Sequence, residues 1–188
     1  HTENIEYFNS SMINCVFAGR FYREIRNPEY LLKTFLSMKS SISILHLFIT
    51  SDCDELIDKY VKRSNGKIIV HTPVSVIEIK KIMNNADVLI NVSNSIAAFK
   101  PSKIFEYIST GKPIVNIHKN RLPDKTLRKY PNAMQIDSDN TDLSLAAEKL
   151  LDFYHQNNSN QLTWDEITML YPGNSPGHIK NILDKGFL

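Results

Sequence analysis

SILHLFITSDCDELIDKYVKRSNGKIIVHT, residues 43–72, decides the fold. It opens on an almost wholly apolar run, SILHLFIT (43–50). A strand with one wet face would alternate apolar and polar side chains; a continuous run marks a strand covered on both faces. DCDELIDKYVKR (52–63) then has helical spacing, with Asp52 or Ser51 as its cap. Asn65-Gly66 makes a turn, and KIIVHT (67–72) returns as a further strand.

The same alternation continues in both directions. Upstream, NCVFAGRF (14–21) is a strand ending near a glycine, and PEYLLKTFLSM (28–38) is a helix with Leu31, Leu32, Phe35 and Leu36 on one face. Downstream, PVSVIEIKKIMNNA (73–86) is expected as a helix with Pro73 in its first turn. DVLINVS (87–93) is a strand and NSIAAFK (94–100) a loop. PSKIFEYISTGKPIV (101–115) is a short helix running into a strand, PIVNIH (113–118). A short helix DKTLRKY (124–130), a sixth and weaker strand AMQID (133–137) and a helix DLSLAAEKLLDFYHQ (142–156) complete the pattern. In the last of these Leu143, Leu145, Ala146, Leu150, Leu151 and Tyr154 share the apolar side. NNSNQ (157–161) reads as a connector to terminal helices over 163–171 and 176–185. Strands alternating with helices predict an α/β fold: a Rossmann-like, doubly wound parallel sheet in three α/β/α layers, in order 3-2-1-4-5-6. A flavodoxin-like five-strand order is the alternative.

Length and composition narrow the function. The chain has 188 residues, 42% apolar and 22% charged, with a formal charge of +2. That suits one soluble globular domain. The lysines are spread along the chain without a basic face or an aromatic platform, so nucleic acid is not expected as a partner. Cys15 and Cys53 are the only cysteines and lack zinc-site spacing; both are expected as reduced packing residues. No apolar run is long enough to span a membrane, and HTENIEYFNSS at the start is polar, without a signal-peptide core or an initiator Met. An excised or processed piece is the expectation.

In such sheets ligands bind beyond the carboxyl ends of the strands, where the strand order reverses. Three loops converge there: AGRFYREIRNP (18–28), HTPVS (71–75) and NVSNSIAAFKPSK (91–103). The first holds Gly19, which lets backbone approach a ligand closely, and Arg20, Arg23 and Arg26, whose planar forks suit phosphate. Equally, these arginines could be solvated charges paired with Glu24 and Glu29. The loop is not a GxGxxG fingerprint, so a nicotinamide or flavin cofactor is not expected. In the 101–115 stretch Pro101 presets a helical turn, Ser102 can cap it, and the amides near Lys103 and Ile104 would face an anion. Glu106, one turn in, is either half of a surface Lys–Glu pair or a carboxylate for two adjacent hydroxyls, as on ribose. His46 reads as a packed core residue. His71 and His118 stand at strand ends towards the cleft without partners at metal-ligand spacing.

VFAGRFYREIRNPEYLLKTF, ADVLINVSNS and PSKIFEYISTGKPIV, in this order and spacing, resemble the C-terminal half of a GT-B glycosyltransferase, nearest to family 4, the retaining enzymes of bacterial polysaccharide and lipopolysaccharide assembly. The resemblance covers roughly 13–156. It implies a nucleotide-sugar-binding Rossmann-like domain there, with 1–12 as an extension and 157–188 as connector and C-terminal helices. Residue by residue, it implies that Gly19, Arg20 and Arg26 lie beside the donor diphosphate, with Arg23 as an alternative to Arg26. It further implies that Ser102, Lys103 and Ile104 approach the phosphates, that Glu106 holds the ribose, and that Pro73 and Val74 line the base. The implied partners are a nucleoside-diphosphate sugar of UDP or GDP type and a missing N-terminal acceptor domain. No metal and no cofactor beyond the substrate is implied, and no catalytic residue is assigned. The implied enzyme transfers a sugar in the cytoplasm, with room for peripheral association at the inner membrane face, and this piece alone is expected to be inactive. A nucleotide-sugar epimerase of the same architecture, or a non-catalytic nucleotide-sugar-binding domain, is the alternative. One departure stands out: Ala98 occupies the place of a glutamate that many members carry near the donor sugar.

Overall fold

The computed structural model describes residues 7–39, 42–95, 103–120 and 123–172. Its elements run β1 (Ile13–Phe21), α1 (Glu29–Ser37), β2 (Ser43–Ser51), α2 (Asp54–Arg63), β3 (Ile68–His71), α3 (Val76–Asn85), β4 (Val88–Val92), α4 (Lys103–Ser109), β5 (Ile114–His118), a 3-10 turn (Thr126–Lys129), β6 (Ala133–Asp137), α5 (Leu143–Asn157) and α6 (Trp164–Leu170). The six strands form one parallel sheet in the order β3-β2-β1-β4-β5-β6, the order expected from the sequence.

The apolar run in β2 now has its cause. Leu45 and Leu47 point into one core, shared with Phe17, Leu32 and Phe35 and closed by α1, α2 and α5. Phe48 points into the other, shared with Val16, Leu89 and Tyr107 and closed by α3, α4 and α6. Each fully buried Leu or Phe contributes about 1.5–3 kcal/mol of transfer free energy, so both faces of the strand must be apolar. Cys15 and Cys53 are buried free thiols in the first core.

Several local expectations need correction. Helix α2 starts at Asp54, with Cys53 at its N-cap and no side-chain cap. Ser51 Oγ instead accepts the Cys53 amide (2.9 Å), and Asp52 Oδ1 accepts the Arg23 amide (2.8 Å). Helix α3 begins at Val76, because Ser75 Oγ accepts the Glu78 amide (3.2 Å) and sets the start there, leaving Pro73 outside the helix. The segment 124–130 holds only one 3-10 turn; Pro131 disfavours helical geometry at Tyr130 and stops it. Leu145 faces solvent in α5, while Ala147 and Phe153 are buried in its place. The terminal helix expected at 176–185 lies outside the described residues.

The chain after α5 folds back onto the sheet domain. Gly111, at the exit of α4, has φ +72°, and a Cβ there would collide with the Leu162 carbonyl. The Leu162 amide donates to the Gly111 carbonyl (2.9 Å), and Gln161 Nε2 donates to the Thr110 carbonyl (2.9 Å). Asn132 Nδ2 donates to the Asn160 carbonyl. Thr163 and Glu166 form a reciprocal capping box that starts α6, whose Ile167 is buried in the second core.

Candidate functional site

The sheet opens at one seam. Strands β1 and β2 pair along all nine residues of β1, but β1 and β4 pair only at Cys15–Val88 and Val16–Leu89. Beyond that point Ala18 has no β4 partner. Its place is taken by Tyr107 of α4, whose hydroxyl accepts the Ala18 amide (3.0 Å) and donates to the Ala18 carbonyl (3.2 Å). Tyr107 is 1% exposed, and burial pushes its phenol up, so the hydroxyl stays protonated and able to do both. This bridge sets α4 against the end of β1. Glu106 and Gly19 are the chain neighbours of its two ends, where the strand order reverses.

A Cβ on Gly19 would meet only the Phe17 ring, at 3.6 Å, an ordinary contact. Its φ of +158° lies at the border of the extended region. Packing leaves room for a side chain, but that backbone angle is one L residues rarely adopt, so glycine suits the position. Beyond it the loop is a tight structure: the Tyr22 amide donates to the Arg26 carbonyl (3.1 Å) and the Arg26 amide to the Tyr22 carbonyl (3.0 Å).

Arg26 Nε donates to Asn94 Oδ1 (2.9 Å), and Nη1 donates to the Arg20 carbonyl (3.3 Å). The Ser95 amide donates to the Ile25 carbonyl (2.7 Å), which joins the loops after β1 and β4 into one rim. Burial pulls Arg26 below the usual guanidinium value, opposed by Tyr107 and Tyr22, and it stays cationic. Arg20 is exposed and lies over the Tyr22 ring, 4.9 Å from its centre. The side chain of Arg23 is exposed too. Glu29 is taken by Lys33 (2.9 Å) and the Tyr60 hydroxyl (2.9 Å). Among the described residues none of the three arginines forms an ion pair, so the rim carries three unneutralised cations.

On α4, Lys103 Nζ stands 3.3 Å from Glu106 Oε2, with both side chains roughly a third exposed or more. The surface pair is thus present, but such pairs are worth at most about 1 kcal/mol and are readily exchanged for a ligand. The Ile104 side chain is buried, so only its backbone is left to face a ligand. Ser102 and Ala98 lie outside the described residues, and with them the expected cap. Pro73 is exposed and Val74 half-buried, in the loop between β3 and α3 on the same edge of the sheet.

His46 is fully buried, as the sequence suggested, and is hydrogen-bonded to His71 (2.9 Å) and to Asn14 (3.2 Å). His118 is buried as well, and its Nδ1 has no partner. Sequence reasoning missed Tyr107, Asn94 and Ser95. The only signal for Tyr107 was an aromatic beside Glu106; Asn94 and Ser95 looked like ordinary loop residues.

Residues 13–152 match the model of the family described as glycosyl transferases group 1. The chain belongs to that family. No curated protein matches this glycosyltransferase chain by sequence. Among solved structures, it is similar to the pneumococcal O-GlcNAc transferase GtfA in complex with UDP and GlcNAc, with TM-score 0.67 and 13% identity over 93% of this chain and 35% of that one. It is similar to TarM, with TM-score 0.66 and 11% identity over 98% of this chain and 37% of that one. The C-terminal domain of the group 1 glycosyl transferase LpcC from Francisella tularensis matches with TM-score 0.58 and 13% identity over 85% of each chain. The chain thus spans about a third of the length of GtfA and TarM and nearly all of an isolated C-terminal domain, and its architecture is one half of a GT-B fold.

Proposed function

We propose that this chain is the donor-binding half of a glycosyltransferase that moves a sugar from a nucleoside diphosphate to an acceptor, in cell-envelope polysaccharide or lipopolysaccharide synthesis. The observation that carries the proposal is the Tyr107–Ala18 bridge, which ties α4, the helix of Lys103 and Glu106, to the strand of Gly19 and Arg20. Arg20 and Arg26, with the Gly19 backbone, receive the diphosphate; Arg26 is held for this by Asn94. Lys103, with the amide of Ile104, faces the phosphates from the other wall. Glu106 exchanges its pair with Lys103 for the ribose hydroxyls, and Pro73 with Val74 flanks the base. The UDP bound to GtfA supports a donor of UDP type.

Chemically, the leaving nucleoside diphosphate gains negative charge as the glycosidic bond breaks. Fixed cations and oriented donors lower that barrier most effectively when they are in place beforehand. Arg26, tied at two points, is such a group. This chemistry draws on no cofactor other than the substrate, and the acceptor would bind on a second domain, so these 188 residues alone transfer no sugar. Among the described residues no helix is long and apolar enough to cross a membrane.

The test is thermal melting with UDP, GDP and their sugars. At least one of these nucleotides raises the melting temperature, and Arg20→Ala and Glu106→Ala each abolish the rise. No shift with any nucleoside diphosphate or nucleotide sugar refutes the proposal.

A further inference from the structure

A chain of polar side chains crosses the sheet from its amino edge to the end of β3, and its direction is fixed by one residue. Asn14 Nδ2 donates to the Asn9 carbonyl (3.0 Å), the Met12 carbonyl (2.9 Å) and Asp87 Oδ2 (3.2 Å), while Oδ1 accepts the Asn9 amide (3.2 Å). Turning the amide round would set its oxygen against three acceptors, so Oδ1 is what His46 Nε2 meets at 3.2 Å. His46 must therefore carry its proton on Nε2. Burial, with His71 close by, pulls its pKa down to about 4, so it is neutral and Nδ1 is a bare acceptor. The group 2.9 Å from that acceptor, His71 Nε2, has to be the donor. Burial lowers the pKa of His71 too, so it is neutral and its remaining nitrogen, Nδ1, is an acceptor only.

That nitrogen is available. One face of the His71 ring stacks on Phe48 (centroids 4.3 Å apart, planes at 10°), and the Tyr7 ring meets it edge-on at 5.1 Å. Among the described residues the only buried side-chain atoms without a partner are Ser43 Oγ and His118 Nδ1. His71 itself is half-buried, and among the described residues its Nδ1 makes no hydrogen bond. It stands at the carboxyl end of β3, two residues before Pro73. His71 is in register with Phe48, and Phe48 with Ala18, so His71 lies two strand spacings, about 10 Å, from the Gly19 end of β1. A nucleoside diphosphate covers a comparable span from phosphate to base.

Resting on the donor-site proposal above, we infer that His71 selects the nucleobase: its Nδ1 accepts a hydrogen bond from a ring N–H, so the site takes the imide-type edge of uracil or guanine. Cytosine and adenine offer a ring nitrogen lone pair on that edge, and two acceptors repel. Asn14 and His46 behind it hold the tautomer, so the acceptor cannot turn into a donor to suit the wrong base.

The experiment measures, by titration calorimetry on this chain, the affinities of UDP, GDP, CDP and ADP, and of the tighter of UDP and GDP methylated on its ring N–H. UDP or GDP is expected to bind tightest, and methylation to weaken it at least about ten-fold. His71→Ala is expected to lower the affinity of the unmethylated nucleotide towards that of the methylated one. The wild-type comparison stands without the variant should it fold poorly. Tightest binding of CDP or ADP, or equal affinity for the methylated and unmethylated forms, overturns the inference and leaves the donor site standing. No binding of any of the four, nor of the UDP- and GDP-sugars, overturns the donor-site proposal and this inference with it.

Discussion

Replacing Tyr107 with Phe removes one oxygen and keeps the ring. The hydroxyl makes two bonds to the same residue, accepting from the Ala18 amide at 3.0 Å and donating to its carbonyl at 3.2 Å. Both backbone groups sit where β1 has already parted from β4. In the variant they are buried next to an apolar edge with no substitute. Leaving a buried polar group unmade costs about 1–3 kcal/mol, and the carbonyl keeps a second lone pair, so the low end of a doubled range is expected, about 2–3 kcal/mol. For a domain of this size each kcal/mol moves the melting temperature by about 2–4 °C. Calorimetric melting should therefore fall by roughly 4–12 °C. The same variant should weaken nucleoside diphosphate binding, because α4 loses its tie to the strand that carries Gly19 and Arg20. A melting temperature within 1 °C of the parent (about 0.5 kcal/mol or less) would show that water or a shifted β4 satisfies Ala18, and that the bridge does not set the crevice.

Gly111→Ala should destabilise by more than about 1 kcal/mol, since a left-handed position acquires a Cβ that strikes the Leu162 carbonyl; limited proteolysis near 157–163 should accelerate with it. His46 makes stability depend on pH. Its folded pKa, about 4 against 6.5 unfolded, means the unfolded chain binds the extra proton first. The contribution is complete above pH 6.5 and lost as pH falls towards 4, amounting to about 2 kcal/mol by pH 5, and urea midpoints for His46→Gln should show a flatter profile over that window. Both thiols should be silent to a thiol reagent in the folded protein and react in denaturant, for Cys15 and Cys53 are buried and burial pushes the Cys15 thiol up. Arg26→Lys should weaken diphosphate binding although it keeps the charge, because a single ammonium cannot reach both Asn94 and the Arg20 carbonyl.

The sheet was legible because burial on two faces leaves a signature that no local propensity can imitate: continuous apolar runs such as 43–50 and 87–93 are incompatible with a strand that has one wet face. The rhythm of strand and helix implied a parallel sheet and left two strand orders open, of which the protein takes the Rossmann-like one. Helix starts were less legible. Ser51, Asp52, Ser75 and Pro73 are all plausible first-turn residues, and which one acts depends on where the neighbouring loop needs a hydrogen bond; Asp52 serves Arg23 instead. At the crevice, residues defined by charge could be named from sequence. Those defined by contact could not. Tyr107 lies 89 positions from the backbone it bonds, and Asn94 lies 68 from Arg26. His46 was legible as a core residue, but not as a link between Asn14 and His71, because the register of three strands makes that link.

The short pairing between β1 and β4 has a mechanical meaning. A parallel sheet is usually strongest through its middle, yet here the middle joint holds two residue pairs where its neighbour holds nine. The two halves of the sheet meet along a short joint, with the Tyr107 phenol bridging the gap beyond it. A small molecule seated across that joint acts as a rivet, so its grip should be felt as slower amide exchange along the open part of β1, more than elsewhere in the sheet.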